Sequence, residues 1–386
     1  MRSRAFAFAI FFAIVITLTG LCWLLVGTFV SAVLPGGWTT LGVAWLLSLT
    51  PLAIIVRNLA THGYPSAAVR RYVFRVFWYA QLLMLALAPA SAIAALVGLL
   101  FGVGSAAGRD AVLILAPALA LFALWGYVGS RQLVVKQLDL APAGLPPELD
   151  GLRLVQLSDL HVGPHTSRRH LARIAEATRQ ARPDILAYTG DQVDDYPRDV
   201  EPFGDAFADL TASLGVFAIP GNHDVYAGWD EVRRRLEALR ITVLVNRAVP
   251  LRYKGRRFWL AGTGDPAATQ MPAEGDRPIP DIARTLADVP AGEFCIVLAH
   301  NPALFRALSE RRVPLTLSGH THYGQFAIPS KNWSLASLFL EFAMGVHERN
   351  GALLYINPGT NYWGIPLRVG TPPEVTVVTL RASAAR

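Results

Sequence analysis

Charge is what this chain has least of, and acid is nearly missing from its first third. Only 16% of the 386 residues are charged, against 53% hydrophobic. Residues 1–136 hold a single acid, Asp110, beside nine lysines and arginines. That leaves a net +8 there, and −1 on the remainder, within a chain total of +7. A nucleic-acid groove would want its cations on the globular part, where here they are balanced, so no nucleic-acid partner is expected. Cysteine is scarce as well. Cys22 sits in an apolar run and Cys295 in an expected buried strand, which argues against a disulfide between them and suits a reducing compartment. Internal repeats and low-complexity tracts are lacking too.

Long apolar runs take the place of the missing charge. Four stretches, 5–34, 38–56, 76–101 and 111–130, reach the roughly 20 helical residues that cross a bilayer. The second is the shortest and contains Pro51, and is the one that could instead be a re-entrant helix. Arg2 and Arg4 precede the first run, which is much longer than the apolar part of a cleaved leader and lacks a small-residue cleavage site. Arg57, Arg70, Arg71 and Arg75 lie between the second and third runs, and Arg131 and Lys136 follow the fourth. The positive-inside rule then puts the N-terminus, the middle loop and the C-terminal part on the cytoplasmic side of the inner cell membrane, with multiple passes. The organisation expected is an apolar four-helix region over 1–136, a Pro/Gly-rich linker over 137–150, and a globular domain over 151–386.

In the globular part, short apolar runs alternate with helical patterns. Strands are expected at 152–157, 185–188, 216–219, 258–261, 294–299, 315–317, 353–356 and 375–380, with helices over 167–182 and 229–239. This is α/β composition, with two sheets packed face to face and helices outside. Five polar segments follow such strands: Asp159-Leu160-His161, Gly190-Asp191, Gly221-Asn222-His223-Asp224, His300, and Gly319-His320-Thr321-His322. In extended backbone, residues two apart point the same way, so Asp159 with His161, and His320 with His322, are expected to reach one ion together. Glycine before the polar residues permits tight turns and close backbone approach. Carboxylate, amide and imidazole groups at strand ends form a donor set for two metal ions, a device suited to phosphate-ester hydrolysis. With no thiolate, the set suits Mn, Fe or Zn better than Mg or Ca.

These residues resemble the calcineurin-like metallophosphoesterase family. Its pattern of D-x-H, G-D-x-x-D, G-N-H-D/E, H and G-H-x-H is met in order by Asp159 to His161, Gly190 to Asp194, Gly221 to Asp224, His300, and Gly319 to His322. The four apolar runs and the segment Gly319 to Gln325 look like the membrane-associated branch of that family. The resemblance implies a four-layer α/β β-sandwich flanked by helices, preceded by the transmembrane region. It implies that Asp159, His161 and His322 hold one divalent metal, that Asn222, His300 and His320 hold the other, and that Asp191 bridges them. His223 would be the non-ligand catalytic histidine that serves the leaving oxygen, and Asp224 would orient His223 or a ligand. The reaction implied is hydrolysis of a phosphomonoester, phosphodiester or pyrophosphate bond. Membrane attachment favours a lipid-linked substrate. Soluble phosphate esters, or a regulatory membrane protein with a non-catalytic domain, are the alternatives.

Other residues have plainer readings. His165 and His170 follow the first motif; His165 is expected either to be solvated, the favoured reading, or to line the site, and His62 and His347 are expected at the surface. Cys295 has nothing nearby to activate it. Arg233 to Arg235 read as a solvated helix face. Arg252, Lys254, Arg256 and Arg257 flank Gly255 in an expected hairpin, either as edge protection or as a contact with anionic lipid. Tyr323, where many members of the family have glycine, is expected to narrow the mouth of the site. In Trp333–Met344, Leu335, Leu338, Phe339 and Phe342 fall at helical spacing. Two readings stay open there, core packing and an interfacial helix touching lipid, with Trp333 and Trp363 as headgroup-level anchors.

Overall fold

The structure is a computed structural model that describes residues 2–61, 66–271 and 275–382, so His62 lies outside the described residues. The chain divides into two compact units, Met1–Trp125 and Gly126–Arg386.

Among the described residues of the first unit, four helices are long and apolar enough to cross a membrane: Phe12–Val30, Gly37–Ile54, Arg70–Leu99 and Gly104–Gly129, the last running into the second unit. They match the four expected runs. Val26, Val30, Leu41, Leu87, Ala88 and Val112 form the buried seam of this unit. Gln81 Nε2 donates to Ser48 Oγ at 3.0 Å, a buried interhelical hydrogen bond. Pro51, Pro89 and Pro117 all lie inside helices. Apolar side chains such as Leu96, Leu99 and Ile114 remain exposed, which suits a hydrocarbon surround.

Among the described residues the second unit has fourteen strands: β1 (Val134–Leu140), β2 (Arg153–Leu157), β3 (Ile185–Thr189), β4 (Val216–Ile219), β5 (Thr242–Val243), β6 (Arg247–Tyr253), β7 (Arg256–Gly262), β8 (Cys295–Leu298), β9 (Leu315–Ser318), β10 (Ala327–Ile328), β11 (Trp333–Ser334), β12 (Gly345–Arg349), β13 (Ala352–Ile356) and β14 (Glu374–Leu380). One sheet has the order β1-β14-β2-β3-β4-β5, the other β12-β13-β9-β8-β7-β6, and β10 pairs with β11 alone. Side-chain alternation decides what each face meets. Leu154, Ile185, Phe217, Ile219 and Val378 of the first sheet pack on Phe258, Leu260, Ile296, Leu298, Leu317 and Tyr355 of the second. The opposite face of the first sheet, with Val155, Leu157, Leu186 and Tyr188, is covered by Leu171, Ile174, Phe203, Trp229 and Val232 from helices. Leu308 and Val313 cover Ala261, Cys295 and Val297 on the outside of the second sheet. These are the layers of an α/β sandwich.

Helix Arg168–Ala181 starts where expected, with the Ser167 side chain accepting from His170 N–H. Helix Asn222–Ala238 starts earlier than the apolar pattern suggests. It begins at the polar motif itself and breaks at Gly228, whose φ of 113° only glycine adopts freely. The charged turn at Lys254 and Gly255 joins β6 and β7, and β6 is the last strand of its sheet, so these cations guard an edge.

Two expectations are corrected. Residues 134–140, assigned in the sequence to the apolar region and the linker, form β1, which runs parallel to β14 from Val134↔Glu374 to Leu140↔Leu380. Its alternation was masked by the apolar run just before it. Trp333–Met344 is not one helix. β11 is followed by a single 3-10 turn, Leu335–Leu338, and Phe342 and Met344 turn into a small core with Phe305, Tyr323 and Leu354. A protein cut to begin at Gly151 therefore leaves the β14 edge bare and should aggregate on size-exclusion chromatography, whereas one beginning at Ser130 should stay soluble. Equal behaviour of the two would show that β1 is dispensable.

Candidate metal centre

Every candidate ligand sits just past the carboxyl end of a strand. Asp159 and His161 follow β2, Asp191 follows β3, Asn222 follows β4, His300 follows β8, and His320 and His322 follow β9. Neighbouring strands are parallel here, so these ends lie on one side of the sandwich. The expected extended backbone is not what aims the pairs. Asp159, His161, Asp191, His320 and His322 all have positive φ, between 41° and 73°. The left-handed turns point side chains into one pocket that extended strands would have carried past it. Such backbone is costly for residues with a Cβ and persists where surrounding contacts fix it. Glycine is required beside it. Gly190 has φ 95°, and a Cβ there would overlap the His300 ring; a Cβ on Gly221 would overlap the Asp191 carboxylate.

The side chains converge. His161 Nε2 and His322 Nε2 are 3.0 Å apart. His322 Nε2 lies 3.3 Å from Asp159 Oδ1, and His161 Nε2 lies 3.6 Å from Asp191 Oδ2. On the other side, His300 Nε2 is 3.3 Å from Asp191 Oδ2, and Asn222 Oδ1 is 3.2 Å from His300 Nε2 and 2.8 Å from His320 Nδ1. Ligand atoms lie within 4.8 Å of one another in three groups: Asp159, His161 and His322; Asp159, Asp191 and His300; and His161, Asp194 and His223. Asp159 is common to the first two groups, and Asp191 Oδ2 stands between His161 and His300. Buried lone pairs packed this closely, with carboxylates among them, fit cations. The His300 ring is turned by its Nδ1 meeting Thr189 O at 2.8 Å; a carbonyl only accepts, so that nitrogen carries the proton and Nε2 is left for a metal.

A family model described as calcineurin-like phosphoesterase matches residues 152–324. The chain carries a calcineurin-like phosphoesterase domain. A transmembrane protein with metallophosphoesterase domain from Danio rerio is 33% identical over 72% of this chain and 64% of its own length. An uncharacterized metallophosphoesterase from Helicobacter pylori (strain J99 / ATCC 700824) is 32% identical over 59% of this chain and 60% of its own. One from Aquifex aeolicus is 28% identical over 61% of this chain and 87% of its own. The chain therefore spans less than two thirds of the first two relatives. The metal-dependent family and the ligand clusters agree, and the apolar helices with a relative named as transmembrane associate the chain with a membrane.

Within the phosphoesterase domain, Asp224 takes the second of its two expected tasks, positioning a ligand-bearing turn and not the His223 ring. Its buried carboxylate accepts from the backbone N–H groups of Gly221 at 2.8 Å, Asp191 at 2.8 Å and Val193 at 3.1 Å. It fastens two ligand-bearing turns together. His223 is held by Asp194, whose carbonyl oxygen lies 2.9 Å and whose Oδ1 lies 3.5 Å from Nδ1. Tyr323 is also placed otherwise than expected. It is buried, and its hydroxyl donates to Ile356 O and accepts from Gly345 N–H, so it braces the floor instead of narrowing the mouth. The mouth is flanked by Tyr226 and Trp363, each half-exposed with its ring 5.8 Å from that of His223. Arg368 was missed altogether. Its guanidinium is fully buried, meets His322 Nδ1 at 2.8 Å, and donates to the carbonyls of Pro358, Asn361 and Thr371. A lone arginine in a loop carries no sequence signal for such a position. His165 is exposed, while His170 is half-buried with Nε2 3.3 Å from Thr360 O. His347 is half-buried with its ring against Phe342. The Cys295 thiol is pushed up to about 12 by burial and is inert.

Charge in the centre is balanced by shared protons. Burial works against a charged His161, but Asp194, Asp191 and Asp159 outweigh it and hold the ring above its ordinary value. His300 is raised likewise, with Asp191 overcoming burial. Burial alone would raise Asp191, and His300 and His161 instead pull it well below the carboxylate range. Burial, then His300, lowers His320 to about 4, which leaves a neutral imidazole. Metal ions must displace the protons on His161 and His300, so binding should weaken as pH falls and release protons at neutral pH. Calorimetric titration of metal-free protein with Mn²⁺, in two buffers of different ionisation heat, counts them; loading without proton release would overturn this electrostatic account.

Proposed function

We propose that the chain is a membrane-anchored phosphoesterase using two divalent metal ions (Mn, Fe or Zn) to hydrolyse a phosphodiester, phosphomonoester or pyrophosphate bond. The observation that carries this is the convergence of four buried side chains, with His161 3.0 Å from His322, His322 3.3 Å from Asp159 and His161 3.6 Å from Asp191. Asp159, His161 and His322 would hold one ion, Asn222, His300 and His320 the other, with Asp191 between. When bound, such ions supply a nucleophile at neutral pH and neutralise charge growing on the phosphoryl oxygens.

The chain's own groups do the rest. Asp224 keeps the Asp191 turn against the start of the Asn222 helix, which fixes where the carboxylate stands. His223 presents its Nδ1 proton to the Asp194 carbonyl, so Nε2 is the nitrogen that can pass a proton to the departing oxygen. Tyr226 and Trp363, each with its ring 5.8 Å from that of His223, would wall the leaving-group side and favour apolar or aromatic leaving groups. The four apolar helices support a lipid-linked substrate, because a tethered enzyme meets a membrane-resident ester at high local concentration. The basic residues flanking those helices support a multi-pass arrangement in the inner cell membrane with the catalytic domain cytoplasmic.

Purified full-length protein should hydrolyse bis-p-nitrophenyl phosphate with Mn²⁺ and stop with a chelator. His223→Ala should lower kcat by about 10²- to 10⁴-fold while metal content, read by mass spectrometry, is retained. Turnover that survives both the chelator and the substitution would sink the proposal.

A further inference from the structure

Four exposed apolar side chains of the phosphoesterase unit crowd into one short segment. Leu335, Leu338, Phe339 and Leu340 follow one another closely and are 40%, 60%, 81% and 40% exposed. The chain turns inward again at Phe342 and Met344. This tip hangs directly from the ligand-bearing turn. Leu335 N–H donates to Phe326 O at 2.8 Å, and a Cβ on Gly324, two residues after His322, would lie 2.8 Å from Leu335 Cβ. The exposed cation Lys331 precedes it.

A second observation says what covers the tip. Gly126 to Gly129, the final turn of the last apolar helix, belong to the phosphoesterase unit. Gly126 O accepts from Arg368 N–H at 2.8 Å. The next residue, Val369, donates to Gln325 O at 3.0 Å and accepts from Ala327 N–H at 2.9 Å. Gln325 Nε2 in turn donates to Trp363 O at 3.0 Å. Three short steps of hydrogen-bonded backbone thus separate the exit of a membrane-spanning helix from the tip. An apolar tip with a neighbouring cation and an aromatic at its flank has the composition of an interfacial membrane contact.

We propose that Leu335–Leu340 is a bilayer-docking tip, seated among the acyl chains with Trp363 at headgroup level, which sets the mouth of the metal centre against the membrane surface. This rests on the membrane reading above and deepens it: the ester would be taken from the lipid surface itself.

The test uses full-length protein in phosphatidylcholine–phosphatidylglycerol nanodiscs, with Cys22→Ala so that labelling is confined to an introduced thiol. A bimane on Phe339→Cys should be quenched by doxyl-labelled lipid about fivefold more than one on Asp205→Cys, a side chain exposed on another helix. Equal quenching at the two positions overturns the docking, as does a change of oligomeric state that protects position 339 from both lipid and water. This readout needs no turnover, so it stands or falls apart from the proposed reaction. In a second arm, Leu338→Asp with Phe339→Asp should lower the ratio of vesicle-borne to soluble phosphodiester turnover about fivefold or more. An unchanged ratio would overturn the claim that docking delivers substrate.

Discussion

The centre depends on burying carboxylates that cannot be buried alone. Asp159, Asp191 and Asp224 are almost completely shielded from water, at the one end of the sandwich where loops meet. A buried charge survives only with partners, and each carboxylate has its own kind. Asp191 lies among imidazoles, Asp224 takes backbone N–H groups, and Asp159 takes the His320 N–H and the Ser158 hydroxyl. Removing one partner would leave its neighbours with uncompensated charge, so the segments behave as one cooperative cluster. The sheets beneath supply the rigidity that keeps five strained residues, in three turns, in place.

Much of this was legible from the chain. Strand ends and polar motifs alternate so regularly that the donor-bearing segments could be found from order and spacing, while their division between two ions came from the resemblance to the phosphoesterase family. The two-sheet arrangement followed from short apolar runs broken by helical patterns. The means by which the side chains converge could not be read. Left-handed backbone at Asp159 or His320 is imposed by tertiary contacts and leaves no mark on residue type except the neighbouring glycines. Asp194 was visible as part of a motif, but its contact with His223 is made chiefly through a main-chain carbonyl, which any residue could supply. Helical spacing in Trp333–Met344 misled because short apolar segments satisfy several periodicities, and there the chain divides its side chains between a small core and the surface.

The two halves of the composition correspond to two physical environments. The first unit has a slim buried seam and an apolar exterior, which water would not tolerate and hydrocarbon would. The second has ordinary globular layers and surface ion pairs such as Arg235 with Glu231 and Arg179 with Asp209.

β1 has a consequence for how the protein is made. It is the first strand to leave the ribosome after the apolar helices, yet its partner in the sheet is β14, at the far end of the chain. Until Glu374–Leu380 has been synthesised, β1 is a strand without a mate, held beside a membrane-bound segment. Arg368, which braces His322, also arrives late. Closure of the sheet and completion of the centre therefore fall together, once β14 has been made, since long-range pairing must wait for its last participant. A ribosome stalled before β14 would leave a chain with an open sheet edge and an unbraced pocket, a substrate for quality-control proteases.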